Sequence, residues 1–125
     1  MTQRKKILCI EDEPEMIELV RLILERKGFD FRGAEGGKRG LEMIRQEKPD
    51  LVLLDLMMPG VDGWEVYRQL KADPELRKIP VIVVTAKAQS IDKVLGLHIA
   101  RVDAYVTKPF GSQELLDTIR RVLKM

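Results

Sequence analysis

Five side chains suited to phosphoryl chemistry, Glu11, Asp12, Asp55, Thr85 and Lys108, are spread over almost the whole of this 125-residue chain, yet each closes a short apolar run. Glu11 and Asp12 follow Ile7 to Ile10, Asp55 follows Leu51 to Leu54, Thr85 follows Val81 to Val84, and Thr107-Lys108-Pro109 follows Ala104 to Val106. Ligands of open parallel sheets bind beyond the carboxyl ends of the strands, so runs of this kind would bring three carboxylates, a hydroxyl and an ammonium to one edge. Singly, each residue has an ordinary role: Asp12 or Glu13 as a helix cap, Asp55 as a turn former, Lys108 as a solvated charge. Together, three neighbouring carboxylates repel unless a cation or proton sits among them, and burial adds a desolvation cost. A divalent metal resolves the conflict. Oxygen donors without His or Cys favour a hard ion, and Mg²⁺ typically takes one or two carboxylates, retains waters and contacts a phosphate. With charge neutralised in this way, Asp55 could attack phosphorus to form an acyl phosphate, and Thr85 could donate its hydroxyl to a phosphoryl oxygen.

The elements that must position these groups are legible in the apolar pattern. The runs Ile7 to Ile10, Leu51 to Leu54 and Val81 to Val84 are nearly continuous, as in parallel strands covered on both faces, and Phe29 to Phe31 and Ala104 to Val106 are weaker strand candidates. Between them, apolar spacing near 3.6 predicts amphipathic helices, clearest over Met16, Ile17, Val20, Ile23 and Leu24 and over Leu115, Leu116, Ile119, Val122 and Leu123. Gly28 follows the first helix, Pro49 stops the second, Asp73-Pro74 ends the third, Asp62 with Glu65 resembles a capping box, and Ser90 and Ser112 are expected helix caps. Five strand–helix pairs in series predict one α/β domain over residues 1–125, with right-handed crossovers and no second domain.

Four strings in order, Ile10-Glu11-Asp12-Glu13-Pro14, Leu54-Asp55-Leu56-Met57-Met58-Pro59-Gly60, Val84-Thr85-Ala86 and Thr107-Lys108-Pro109-Phe110, together resemble the receiver domain of two-component response regulators, of the chemotaxis-regulator kind. The resemblance covers essentially the whole chain. It implies a flavodoxin-like (βα)5 three-layer sandwich with a parallel sheet in the order 2-1-3-4-5. It also implies roles: Asp55 as phosphoacceptor, Glu11 and Asp12 as the acidic pair holding Mg²⁺ with the Met57 carbonyl, and Lys108 as the bridge to the phosphoryl group. Thr85 and Tyr105 would be the switch pair, and Lys108-Pro109 a cis peptide. The partners implied are a sensor histidine kinase or phosphotransfer protein and a downstream protein target, with the chain a monomer or a phosphorylation-dependent dimer. Two positions depart from the commonest pattern. Glu11 stands where an Asp is more usual, and Arg101-Val102-Asp103-Ala104 lacks the glycine often found before the aromatic residue. Met57 and Lys87 fall where the family tunes phosphoryl lifetime.

Composition narrows the alternatives. Twenty-two basic against 20 acidic residues, net +2, give no one-sided field, so direct nucleic-acid binding is not expected. The basic N-terminus precedes only four apolar residues, Ile7 to Ile10, too few for a signal-peptide core or membrane span, and a cytoplasmic location is expected. The single cysteine, Cys9, excludes an internal disulfide and reads as core. Gly33-Ala34-Glu35-Gly36-Gly37-Lys38 lacks the spacing and the Ser or Thr of a P-loop and reads as a turn and helix start. His98, the only histidine, reads as structural or solvated rather than as a phosphodonor, and Trp64 and Tyr67 read as packing for the third helix. A dehalogenase-type aspartyl phosphatase would need Asp-x-Asp, whereas Asp55-Leu56-Met57 is present; a receiver-like module that binds partners without phosphorylation is the remaining alternative.

Overall fold

A computed structural model gives the structure of the chain, described here for residues 4–60, 63–86 and 102–125. Five strands, β1 (Lys6–Glu11), β2 (Asp30–Glu35), β3 (Leu51–Asp55), β4 (Val81–Ala86) and β5 (Ala104–Lys108), alternate with helices α1 (Pro14–Arg26), α2 (Gly37–Glu47) and α3 (Gly63–Ala72), and a C-terminal helix spans Ser112–Leu123. The strands form one parallel sheet in the order β2-β1-β3-β4-β5, the flavodoxin-like arrangement. The fourth helix expected between β4 and β5, with Lys87, Ser90, His98 and Arg101, lies outside the described residues, as does Asp62 of the expected capping box.

Alternation along the strands divides the core into two. Ile7, Cys9, Leu51, Leu53, Ile82, Val84, Ala104 and Val106 face one side, against Val20 and Leu24 of α1 and Leu115, Leu116 and Ile119 of the C-terminal helix. Leu8, Ile10, Val52, Leu54, Val81 and Val83 face the other, against Leu41 and Ile44 of α2 and Val66, Tyr67 and Leu70 of α3. Both faces are covered, which is why the central strands read as unbroken apolar runs. Trp64 and Tyr67 pack edge to face at 5.7 Å in α3, as their sequence context suggests.

Helix ends follow local chemistry. Pro14 opens α1, where its missing N–H has no helical partner to lose, and the N–H groups of Met16 and Ile17 donate to the Glu13 carbonyl. Gly28 (φ +85°) lets the chain reverse into β2. Lys48, left-handed at φ 44°, terminates α2 before Pro49, and α3 stops at Ala72 before Asp73-Pro74.

Two expectations are corrected. Gly33, Ala34 and Glu35 belong to β2, and only Gly36, Gly37 and Lys38 make the turn and helix start. The strand needs a glycine here because a Cβ on Gly33 would lie 2.6 Å from the Ile17 side chain of α1. Ser112 is the first residue of the C-terminal helix rather than its cap; Gly111 occupies the cap position, extended at ψ 155°, and no side chain caps it.

Candidate functional site

The period of two that sorts the core also assembles the site. Glu11 continues the Ile7–Cys9 face of β1, Asp55 the Leu51–Leu53 face of β3, and Lys108 the Ala104–Val106 face of β5. All three therefore rise from one face of the sheet at its carboxyl edge. They are the last residues of their strands rather than the first of the following loops, with Asp55 paired to Val84 and Lys108 to Ala86 in the ladder. Thr85 belongs to β4 and pairs with Thr107.

Lys108 binds the cluster together. Its Nζ donates to Glu11 Oε1 at 2.6 Å and lies 3.7 Å from both Asp55 Oδ2 and Glu13 Oε1. Glu11 is 2% and Asp55 4% exposed, so these carboxylates are removed from water at the top of the core. Backbone donors fix their orientation: the Asp12 N–H reaches Glu11 Oε2 at 3.2 Å, and the Met57 N–H reaches Asp55 Oδ1 at 3.1 Å. Glu13 sits at the N-cap of α1, but its side chain makes no cap hydrogen bond. Behind the site, Gly63 opens α3 directly against the chain carrying Asp55: its N–H donates to the Leu56 carbonyl at 3.3 Å, and a Cβ there would stand 2.4 Å from the Asp55 carbonyl oxygen.

The electrostatics record the crowding. Burial, followed by the hydrogen bond with Asp55, pushes the Glu11 carboxyl from the ordinary 4.5 up to about 8, although Lys108 pulls it down. Lys108 loses basicity to burial but is raised on balance by Glu11, Asp55 and Glu13. The proton and the ammonium thus compete to neutralise the same carboxylates. Oxygens of Glu11, Asp12 and Asp55 lie within 4.8 Å of one another, a group able to hold a metal ion. With all three carboxylates ionised, one ammonium leaves two negative charges, which a divalent cation would balance in place of the proton on Glu11.

Cys9 lies two residues before Glu11 on the same face. It is buried, and desolvation with the charge of Glu11 pushes its thiol up to about 12. It belongs to the core, as expected from the sequence. Native protein should therefore show no reaction with an aromatic disulfide reagent at pH 8, and one thiol per chain should appear only on denaturation.

The peptide between Lys108 and Pro109 is cis. Tyr105 points outward on β5 and is 49% exposed, and Met57, also exposed, follows Asp55 by two residues.

The model of the response regulator receiver domain matches residues 7–120. The chain belongs to this family. Among relatives, it is 41% identical over 123 residues to the DNA-binding response regulator MtrA of Mycolicibacterium smegmatis, covering 98% of this chain and 52% of MtrA. It is 44% identical over 118 residues to the protein PilH of Pseudomonas aeruginosa, covering 94% of this chain and 97% of PilH. The chain thus spans about half the length of one of these relatives and nearly all of the other. Among solved structures, the signal receiver domain of a signal transduction histidine kinase from Syntrophus aciditrophicus superposes with a TM-score of 0.86 at 33% identity, over 96% of this chain and 90% of that one. The chain is a receiver domain of two-component response regulators. None of its described helices is long and apolar enough to cross a membrane.

What sequence reasoning missed is the pairing inside the site. The family resemblance makes Lys108 a bridge to an incoming phosphoryl group, whereas its nearest partner is Glu11. Nothing in the spacing of residues 11 and 108 signals this; it follows from the strand order and the length of the two side chains.

Proposed function

We propose that this receiver takes a phosphoryl group on the Asp55 carboxylate, in a reaction dependent on Mg²⁺, from the phosphohistidine of a sensor kinase or a phosphotransfer protein. In the transfer, an Asp55 oxygen forms the new P–O bond as the P–N bond to the donor imidazole breaks, and the released nitrogen keeps the bonding pair and takes up a proton. The observation that carries this reading is the approach of Glu11, Asp12 and Asp55 to within 4.8 Å of one another beneath one ammonium. Asp12 and Asp55, with Glu11 and the Met57 carbonyl, would hold the cation, which when bound neutralises the carboxylates and the charge on the phosphoryl oxygens. The Met57 N–H keeps the Asp55 carboxylate oriented, and Lys108, 3.7 Å away, supplies a positive charge to the group that Asp55 receives. Thr85 and Tyr105 would be the residues through which the new charge changes the surface offered to a downstream protein. The domain turns over no substrate beyond its own phosphorylation and dephosphorylation, and it acts in the cytoplasm as a monomer or a phosphorylation-dependent dimer.

Thermal melting against pH, with and without Mg²⁺, tests the cation site. A carboxyl raised from 4.5 to about 8 on folding holds its proton more tightly in the native state, so its contribution is full below about pH 4.5 and is lost as pH rises to about 8. The groups facing Glu11 are Asp12, Asp55 and Lys108, with Glu13 beyond the lysine. Metal-free protein should therefore lose melting temperature over that window once the other groups are matched by a Glu11→Gln control, and saturating Mg²⁺ should restore it. Beryllofluoride with Mg²⁺ should in addition change the fluorescence of Trp64, one residue from Gly63. A melting curve and a fluorescence signal indifferent to both additions would favour a module that binds partners without phosphorylation.

A further inference from the structure

Glu11 and Lys108 meet across the sheet. In the strand order, β3 and β4 lie between β1, which carries Glu11, and β5, which carries Lys108, so two long side chains are stretched toward each other over Asp55. The resulting contact is short, 2.6 Å, and shielded: Glu11 is 2% exposed and the Lys108 side chain 16%. Asp55 and Glu13 are each 3.7 Å from the same ammonium, beyond hydrogen-bonding distance. The other oxygen of Glu11 accepts the Asp12 N–H, which fixes the direction in which the carboxylate points.

We infer that Glu11 is the positioning residue for Lys108: it draws the ammonium past Asp55 and holds it beside the nucleophile instead of on it. The inference rests on the phosphoacceptor reading of Asp55, which makes it matter that this carboxylate keeps the ammonium at 3.7 Å rather than in a direct hydrogen bond. Side-chain length is the physical basis. An aspartate at position 11 would carry its oxygens one methylene closer to β1, and the ammonium would then settle on Asp55, the nearer carboxylate in the sheet order. Glutamate at this position is thus a device that keeps the resting site open.

The test reads the lysine directly, in metal-free protein without any phosphodonor, so it stands apart from the outcome of phosphorylation experiments. Nitrogen-15 NMR of the lysine ammonium groups should show one signal with slow solvent exchange that disappears in Lys108→Arg. In Glu11→Asp the Lys108 signal should move, because its acceptor has become Asp55, and an added Asp55→Asn change should then shift it again while leaving it nearly unmoved in the Glu11 background. In Glu11→Gln, which keeps the shape but loses the charge, exchange with solvent should quicken by about tenfold, the ratio set by weakening one charge-assisted hydrogen bond. An unchanged exchange rate in Glu11→Gln would overturn the inference. So would a Lys108 signal in the original protein that responds to Asp55→Asn more than to Glu11→Gln.

Discussion

Asp55→Asn should abolish phosphoryl uptake and, in the absence of metal, make the protein more stable. The first effect follows from chemistry, since an amide oxygen cannot serve as the nucleophile that a carboxylate provides. The second follows from the crowding at the site. Asp55 is 4% exposed and raises the Glu11 carboxyl both through their hydrogen bond and through its charge. Replacing it with a neutral group of the same shape removes one of three neighbouring carboxylates and leaves the Met57 N–H an oxygen to donate to. The expected gain is about 1 kcal/mol, or several degrees in melting temperature for a domain of this size. Differential scanning calorimetry in a chelating buffer measures it, and Mg²⁺ should shrink the difference between the two proteins. Stability and function are therefore opposed at this residue: the arrangement that makes the site able to take a cation and a phosphoryl group is one the fold tolerates at a cost.

Gly63→Ala should be the most damaging single methyl group near the site. Its Cβ would lie 2.4 Å from the Asp55 carbonyl oxygen and 2.6 Å from the Leu56 Cα, and both are backbone atoms that no rotamer change can move aside. Either α3 shifts away from the sheet or the end of β3 bends, and overpacking of this sort costs about 3 kcal/mol. Because the displaced chain carries Asp55, the rate of phosphoryl uptake should fall as well, in protein shown by circular dichroism to remain folded. Chemical denaturation gives the stability loss. A Gly63→Ala variant as stable and as reactive as the original would mean that the approach of α3 to β3 is looser than the structure has it.

The residues of the central strands show why so much of this fold is legible in the sequence. β1, β3 and β4 are covered on both faces, so Ile7 to Ile10, Leu51 to Leu54 and Val81 to Val84 carry no polar interruption, and their carboxyl ends mark the site. The edge strand β2 is less clear because it pairs only with β1, carries Asp30, Arg32 and Glu35, and uses Gly33 where α1 presses close. Its buried residues, Phe31 and Ala34, are three apart and belong to opposite faces, which erases the alternation a half-buried strand would show. Ser112 misleads for a local reason: a serine before an apolar helical stripe suits a cap, but the helix already begins at Ser112 and the cap position falls one residue earlier, on the extended Gly111. The ingredients of the candidate site are legible from residue type and order. The contact between Glu11 and Lys108 is not, since it depends on which strands lie between them and on how far two flexible side chains extend.

The most direct test of the phosphoacceptor reading is the intact mass of the chain after incubation with Mg²⁺ and acetyl phosphate. A single added phosphoryl group is expected, lost when the metal is chelated and absent from Asp55→Asn. An unchanged mass under conditions in which Mg²⁺ demonstrably binds, or an adduct that persists in Asp55→Asn, would contradict the assignment of Asp55 as phosphoacceptor.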